Sequence, residues 1–356
     1  MVCMHSPAPS RKSLLQSAIA GGPWRPFAVL AIDVVLFAVG STIALYAGPI
    51  TVKLLGSLLI AAGIVRLFLI GHEACHGSFF VNDRLNQIVG RLVFLPSLTA
   101  FSLWDVGHNV AHHGFNNLKG RDQVWTPFSK QEFDALTPRR QLMERIYRSG
   151  AGCGLYYFLE LWWKKLYFAS RREIGSERVE YKLDSLLVTA AAIAWLVVVA
   201  LVARDAHTSF WLLALVAVIL PFALWNCIMG FVVFIQHTHP AIAWFQKRQE
   251  WQRCRAYLTA TANVHLPLRL DRLMHGIMEH NAHHVNTRIS MFGLNGAQRQ
   301  LIERDYGEVL SYRLDYRRYV DVVSRCKLYD YVNHAWLDWS GAVTAQVTPF
   351  SGAMPA

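Results

Sequence analysis

Long apolar runs separated by short polar links dominate the pattern of this 356-residue chain. Four stand out, at roughly 27–47, 51–70, 184–203 and 210–235. Each is long enough to cross a hydrocarbon layer about 30 Å thick as a helix, at 1.5 Å per residue. A very short link near Gly48-Pro49 joins the first pair, and Arg204 to Ser209 joins the second, which predicts two helical hairpins. A further apolar stretch, 86–103, is interrupted by Arg91 and Pro96, and reads as an interfacial or re-entrant segment rather than a fifth span. The segment 154–168, with Tyr156, Tyr157, Trp162 and Trp163, reads as an interfacial helix, since aromatics favour the headgroup zone.

Composition agrees. Hydrophobic residues make up 53% of the chain and charged ones 17%, more apolar than an average soluble domain. The formal charge of +11 is distributed in a way that sets orientation. Fifteen Lys or Arg fall between positions 71 and 183 and fourteen after 235, whereas the two short links hold only Arg204. The positive-inside rule therefore places the N-terminus, the 71–183 segment and the C-terminal region in the cytoplasm. Basic loops beside anionic lipid explain the charge better than nucleic-acid binding does. Residues 1–25 read as a cytoplasmic lead-in, because Gly21, Gly22 and Pro23 break the apolar core that a secretory signal would need. The membrane domain is expected over 26–310, with 311–356 as a cytoplasmic tail. Six scattered cysteines, at 3, 75, 153, 227, 254 and 326, contain no C-x-x-C pair, and indicate neither a zinc ribbon nor a disulfide framework. Asp33 lies inside the first span, where an ionisable group is costly. It is expected at the membrane edge or paired with a basic neighbour.

The chemistry lies in the histidines. Of fifteen, eight fall in three tight clusters: His72 and His76; His108, His112 and His113; His280, His283 and His284. The charge argument puts all three on one side of the membrane. Residues three or four apart share a helix face, so His72 with His76, and His280 with His283 or His284, can point at one metal. Adjacent histidines such as His112 and His113 diverge by about 100° in a helix of 3.6 residues per turn, which suits two metals better than one. Eight imidazoles exceed what one ion takes, so a two-metal centre is the economical reading. Imidazole alone does not choose between zinc, copper, iron and nickel.

The order HxxxH, HxxxHH, HxxHH around two hairpins resembles the integral-membrane fatty-acid desaturase and hydroxylase family, in particular the delta-12 (omega-6) acyl-lipid branch and its bacterial relatives. The segments that carry the resemblance are Gly-His72-Glu-Ala-Cys-His76-Gly and Trp104-Asp-Val-Gly-His108-Asn-Val-Ala-His112-His113, the latter followed by Asn116-Asn117 and Arg121-Asp122. Gln236-His237-Thr238-His239-Pro240 and His275-Gly-Ile-Met-Glu-His280-Asn-Ala-His283-His284-Val-Asn complete the set, and the similarity covers roughly 65–310. The second box departs from the branch: three residues, not two, separate its first histidine from the pair.

The resemblance implies an all-α membrane protein of four spans in two hairpins, with a cytoplasmic helical cap carrying the histidine boxes. It implies two irons on His72, His76, His108, His112, His113, His280, His283 and His284, with a further histidine near the end of the fourth span, His237 or alternatively His239. His265 and His275 are expected to support the ligands or the fold, Glu73 and Asp122 either to hydrogen-bond ligand histidines or to be ordinary surface carboxylates, and His5, His207 and His334 to be incidental. The implied reaction is O2-dependent insertion of a C=C bond into a fatty acyl chain carried on lipid, coenzyme A or acyl carrier protein. A hydroxylase, acetylenase or carotenoid ketolase on the same scaffold is the alternative. Such C–H chemistry requires a redox metal or cofactor, and zinc has no redox chemistry. There is no dinucleotide fingerprint after a strand and no cysteine cluster for iron–sulfur. Electrons are therefore expected from a separate ferredoxin or cytochrome b5 type carrier, steered by the basic face. The bacterial relatives imply an inner-membrane location. A haem electron-transfer protein would want paired histidines within the spans, and a metal transporter would want polar span interiors.

Overall fold

The computed structural model describes residues 22–122, 124–167, 169, 175, 177–304 and 309–349. The 1–25 lead-in thus falls almost wholly outside the described residues, as does His5. The chain divides into two compact units. One, the span unit, takes Pro23–Val110 and Ala151–Val233; the other takes Ala111–Gly150 and the chain from Phe234 onward.

The span unit holds the four expected membrane helices, Arg25–Tyr46, Ile50–Cys75, Val179–Asp205 and Phe210–His237. The last turn of the fourth, from Phe234, belongs to the second unit. The second span outruns its apolar window by a turn and carries His72 inside the same helix. Nothing between Ile70 and Cys75 breaks an α-helix, and His72 O still accepts the N–H of His76 at 3.2 Å. The first hairpin closes over small residues. A methyl group on Gly56 would lie 2.5 Å from Ala44 N, and one on Gly40 2.7 Å from Ile60 N, so the two backbones touch.

Asp33 does have a basic neighbour. Its buried carboxylate takes the Arg66 Nε at 2.6 Å, from the first span to the second. A second pair, Arg91–Asp184 at 2.9 Å, ties the 86–103 stretch to the third span. That stretch bends as its Pro predicts. Asp83–Ser97 and Phe101–Phe115 are helices at 97° to each other, a broken span or a re-entrant loop. Proline at 96 and the left-handed Leu98 (φ 51°) make the break, and Asp184 Oδ2 accepts the Ser102 N–H at its start.

The helical stretch 153–167 is less superficial than its aromatics suggested. Tyr157, Leu161, Trp162 and Leu166 are buried, and Trp162 Nε1 donates to Leu98 O at 2.8 Å. Tyr157 meets Trp225 of the fourth span edge-on, with ring centroids 5.5 Å apart.

The second unit is built of short helices and two small sheets that the sequence pattern did not announce. Ala262–His265 pairs in parallel with Leu310–Arg313. Leu328–Asp330, Ala335–Leu337 and Val343–Gln346 form an antiparallel three-stranded sheet. Strands of three or four residues are too short for a period-2 pattern to be legible. The chain from 311 to 349 is thus folded into this unit, with Trp336 buried and its Nε1 donating to Ile242 O at 3.1 Å.

Candidate metal centre

Histidines converge in both units. In the span unit, His72 and His76 leave the last turn of the second span one above the other, and their Nε2 atoms lie 3.3 Å apart. His108 comes from the bent helix and brings its Nε2 to 2.8 Å from that of His72. Two devices hold it there. The Trp104 indole stacks on the His108 ring at 4.5 Å and 23°. One residue further on, Asn109 Nδ2 donates to Asp105 Oδ1 at 2.6 Å and to Cys75 O at 3.1 Å, fastening the second box to the end of the first. Glu73 sits beside this set, its Oε1 3.6 Å from His72 Nδ1, while its other oxygen accepts from Ser78 Oγ at 3.0 Å.

The stretch Asp105–His112 is wound as a π-helix. Such turns are rare and concentrate at functional sites. Their effect is to change which side chains share a face, so the α-helical spacing argument for this box does not transfer unaltered.

In the second unit, His112, His237, His280 and His284 form one group, each with a ring nitrogen within 4.8 Å of the others. His237 Nε2 lies 3.2 Å from His112 Nε2 and 2.9 Å from His280 Nε2, and His284 Nε2 lies 3.1 Å from His280 Nε2. All four side chains are buried. His113 and His283 pair with each other, Nε2 to Nε2 at 3.1 Å. The adjacent histidines of the second box therefore do part company, His112 to the group and His113 to the pair. The third box divides likewise: His280 and His284, four apart on one helix face, join the group, and His283 does not.

The donor chemistry of the four-histidine group fits a cation. A neutral imidazole carries one N–H, so an Nε2 is either a donor or an acceptor. Buried Nε2 atoms facing each other at 2.9–3.2 Å, with His237 and His280 each facing two partners, are explained by lone pairs aimed at a shared positive charge. Burial first, and then the neighbouring imidazoles His113, His280, His112 and His237, hold the His284 pKa well below the usual histidine range, in the neutral form that ligates metal.

Second partners fix the rings. His112 Nδ1 donates to Asp122 Oδ1 at 3.1 Å, which leaves Nε2 as the lone-pair atom. Asp122 is itself held by the Asn117 and Val124 N–H groups at 2.8 and 3.0 Å. The third-box helix is anchored by Asn281, whose buried amide donates to Leu258 O and Thr261 O at 2.9 and 2.8 Å. Gln298 Oε1 accepts the Ala282 N–H at 2.9 Å. Gln236 Nε2 donates to Ile277 O at 2.9 Å, joining the fourth span to the approach of the third box. Asn109, Gln236, Asn281 and Gln298 were not singled out from sequence. Three of them are amides inside or beside a box, and an amide in an otherwise apolar, histidine-bearing stretch was the available signal.

His239 stands outside both histidine groups. Its Nδ1 accepts the Ala241 N–H at 3.1 Å, its ring lies on Tyr312, and burial pushes its pKa down to about 4. His265 ends the strand Ala262–His265, and His275 adopts a left-handed backbone (φ 50°) beside Gly276; neither belongs to a histidine group. His334 instead binds Glu250 at 2.8 Å.

Residues 49–316 match the family described as fatty acid desaturase. The chain belongs to that family. Among its relatives is an sn-1 oleoyl-lipid 12-desaturase of Picosynechococcus sp., 28% identical over 75% of this chain and 74% of the relative. The chloroplastic omega-6 fatty acid desaturase of Glycine max is 28% identical over 75% of this chain and 60% of its own length. An sn-1 oleoyl-lipid 12-desaturase of Arthrospira platensis is 28% identical over 65% of this chain and 63% of the relative. The chain therefore spans less than two thirds of the soybean and Arthrospira relatives. The delta-12/omega-6 acyl-lipid branch expected from the boxes is the one these relatives carry in their names, despite the extra residue in the second box. Fatty acid desaturases are oxidoreductases, and four apolar helices fit integration of this one in a membrane.

Proposed function

We propose that this chain inserts a C=C bond into a fatty acyl chain, using O2, at a centre of two irons. The observation that carries the proposal is the four-histidine group, buried and aimed at a common charge, within a chain of this family. One iron is assigned to His112, His237, His280 and His284. The other is assigned to the remaining histidines of the three boxes, His72, His76, His108, His113 and His283. Iron bound there would supply the oxygen chemistry that no protein side chain offers at an unactivated C–H bond.

The chain's own residues have definite tasks. His112, held by Asp122, presents Nε2 and keeps its proton on Nδ1. Trp104 and Asn109 set the ring and the helix of His108. Asn281 and Gln298 fix the third box. The reaction balances as two C–H bonds broken, one C=C bond formed, and O2 leaving as two waters after taking up the two chain hydrogens, two protons and two electrons. The electrons are assigned to a separate ferredoxin or cytochrome b5 type carrier, attracted by the basic loops. The relatives named for sn-1 oleoyl-lipid 12-desaturation support an oleoyl group on a membrane lipid as substrate. The positive-inside rule supports boxes on the cytoplasmic face, and bacterial kinship an inner membrane.

The test is expression in a host lacking polyunsaturated lipids, with fatty-acid profiling by mass spectrometry. A dienoic acyl species from the native chain, absent with His283→Ala, is expected. An alcohol at the same carbons would move the assignment to hydroxylation. No oxidised acyl product from an iron-loaded, electron-supplied protein would defeat the proposal.

A further inference from the structure

Between the strand Ala262–His265 and the third box runs a loop, 267–273, that contributes no residue to the histidine groups and is built against ordinary economy. Leu268 is 93% exposed, Leu270 46% and Leu273 56%. Leu268 and Arg269 both adopt left-handed backbone, with φ of 54° and 59°. That conformation is uncommon for a side chain other than glycine and unfavourable for a bulky one. The interleaved arginines, Arg269 and Arg272, are exposed as well. Asp271 turns inward, its Oδ1 accepting the Leu266 N–H at 3.2 Å.

The loop's position in the second unit says what it faces. Both of its roots are fastened to the end of the fourth span. On one side, Thr261 Oγ1 donates to Gln236 O at 3.3 Å. On the other, Gln236 Nε2 donates to Ile277 O at 2.9 Å. The two roots are also joined directly, Val264 N–H to Met278 O at 3.4 Å. Tyr312, from the partner strand, donates to Ile235 O at 3.0 Å. The loop therefore springs from the level at which a membrane helix ends. Leucines projecting there, alternating with arginines, match the two layers of a membrane surface. Apolar side chains suit the acyl boundary, and guanidinium groups suit headgroup phosphates.

We propose that the 267–273 loop is a lipid-contact site: Leu268, Leu270 and Leu273 insert into the bilayer boundary, and Arg269 and Arg272 bind the phosphates of anionic lipid headgroups. The strained backbone at Leu268 and Arg269 turns the leucines outward to reach it. The contact steadies the approach to His280, which follows seven residues after Leu273. This assignment rests on the span and the loop, and does not depend on the reaction.

The experiment uses the full chain in nanodiscs, with the photo-crosslinking residue p-benzoylphenylalanine in place of Leu268. Discs of phosphatidylcholine alone are compared with discs of phosphatidylcholine and phosphatidylglycerol. Intact-mass analysis after irradiation is expected to give lipid adducts, enriched in phosphatidylglycerol beyond its share of the disc. Arg269→Glu with Arg272→Glu removes the enrichment, and each arginine near a surface is worth roughly a fivefold change in such partitioning. Arg269→Gln with Arg272→Gln gives an intermediate value and serves if charge reversal spoils folding, which monodispersity in detergent reports. Absence of lipid adducts overturns the insertion. Adducts indifferent to both headgroup charge and the arginine variants overturn the assignment to anionic lipid. Desaturase activity enters none of these readouts, so a failure of the loop and a failure of the enzyme reading remain distinguishable.

Discussion

Asp122 Oδ1 lies 3.1 Å from Nδ1 of His112, and both side chains are buried. The carboxylate accepts from this ring and decides which nitrogen keeps the proton. Asp122→Asn replaces an acceptor by a group that can donate or accept, so the tautomer of His112 is no longer fixed. Partners of this kind are worth about 10–100-fold in metal affinity or activity. Iron content by elemental analysis is expected to fall in Asp122→Asn while the protein stays monodisperse. Full iron occupancy with native turnover would mean that the hydrogen bond is merely structural.

The two histidines at the end of the fourth span separate by the same logic. His237 Nε2 faces His112 and His280, whereas His239 gives its Nδ1 to the Ala241 N–H. His237→Ala is expected to lose iron and to reduce activity by more than the roughly 100-fold that an outer partner costs. His239→Ala is expected to retain both irons. Elemental analysis with fatty-acid profiling of the two variants side by side checks this, and equal losses would refute the assignment.

Much of this was legible in the sequence because apolar length is a property of the residues themselves. The spans at 51–70 and 210–235 needed no tertiary knowledge. Their true ends did. Whether His72 belongs to the span or to a loop depends on the hydrogen-bond ladder continuing past Ile70, and the histidines and carboxylate there neither forbid nor demand it. The division of the third box, His280 with His284 and His283 apart, was left open at i, i+3 or i, i+4, since both spacings share a helix face. The π-winding of Asp105–His112 carries no compositional signature at all. Short strands such as Leu328–Asp330 owe their form to partners far along the chain, and a three-residue window cannot report them.

Lys327 gives a pH signature away from the metal centre. Burial first, and then the Arg148 charge, lower its pKa to about 8, and its Nζ donates to Arg148 O at 2.6 Å. An unfolded lysine titrates near 10.5. Between those values the unfolded chain binds the proton and the folded chain does not, so this group makes stability rise with pH across that window. Lys327→Met removes the contribution. The melting temperature of the variant relative to the native chain is therefore expected to shift in the native chain's favour from pH 7 to pH 9.5 in detergent. A difference independent of pH would show that the lysine titrates normally.

The close approach of the fourth span to the 153–167 helix sets the last expectation. A methyl group at Gly230 would lie 2.2 Å from Cys153 O and 2.7 Å from its carbonyl carbon. One at Gly154 would lie 2.5 Å from Cys227 Sγ and 2.7 Å from Cys227 Cα. The obstacles are largely backbone, which no rotamer change can move aside, so each glycine permits one helix to rest on the other. Gly230→Ala and Gly154→Ala should each destabilise the protein by about 1–3 kcal/mol, the usual cost of overpacking. Gly48→Ala, with nothing within 4 Å, should cost much less. The two costs should also fail to add. Once one methyl has pushed the helices apart, the second finds room, so the double variant should lose less than the sum of the singles. Thermal melting followed by size-exclusion fluorescence provides the comparison. Additive losses would place the two glycines in independent contacts rather than in one shared crossing.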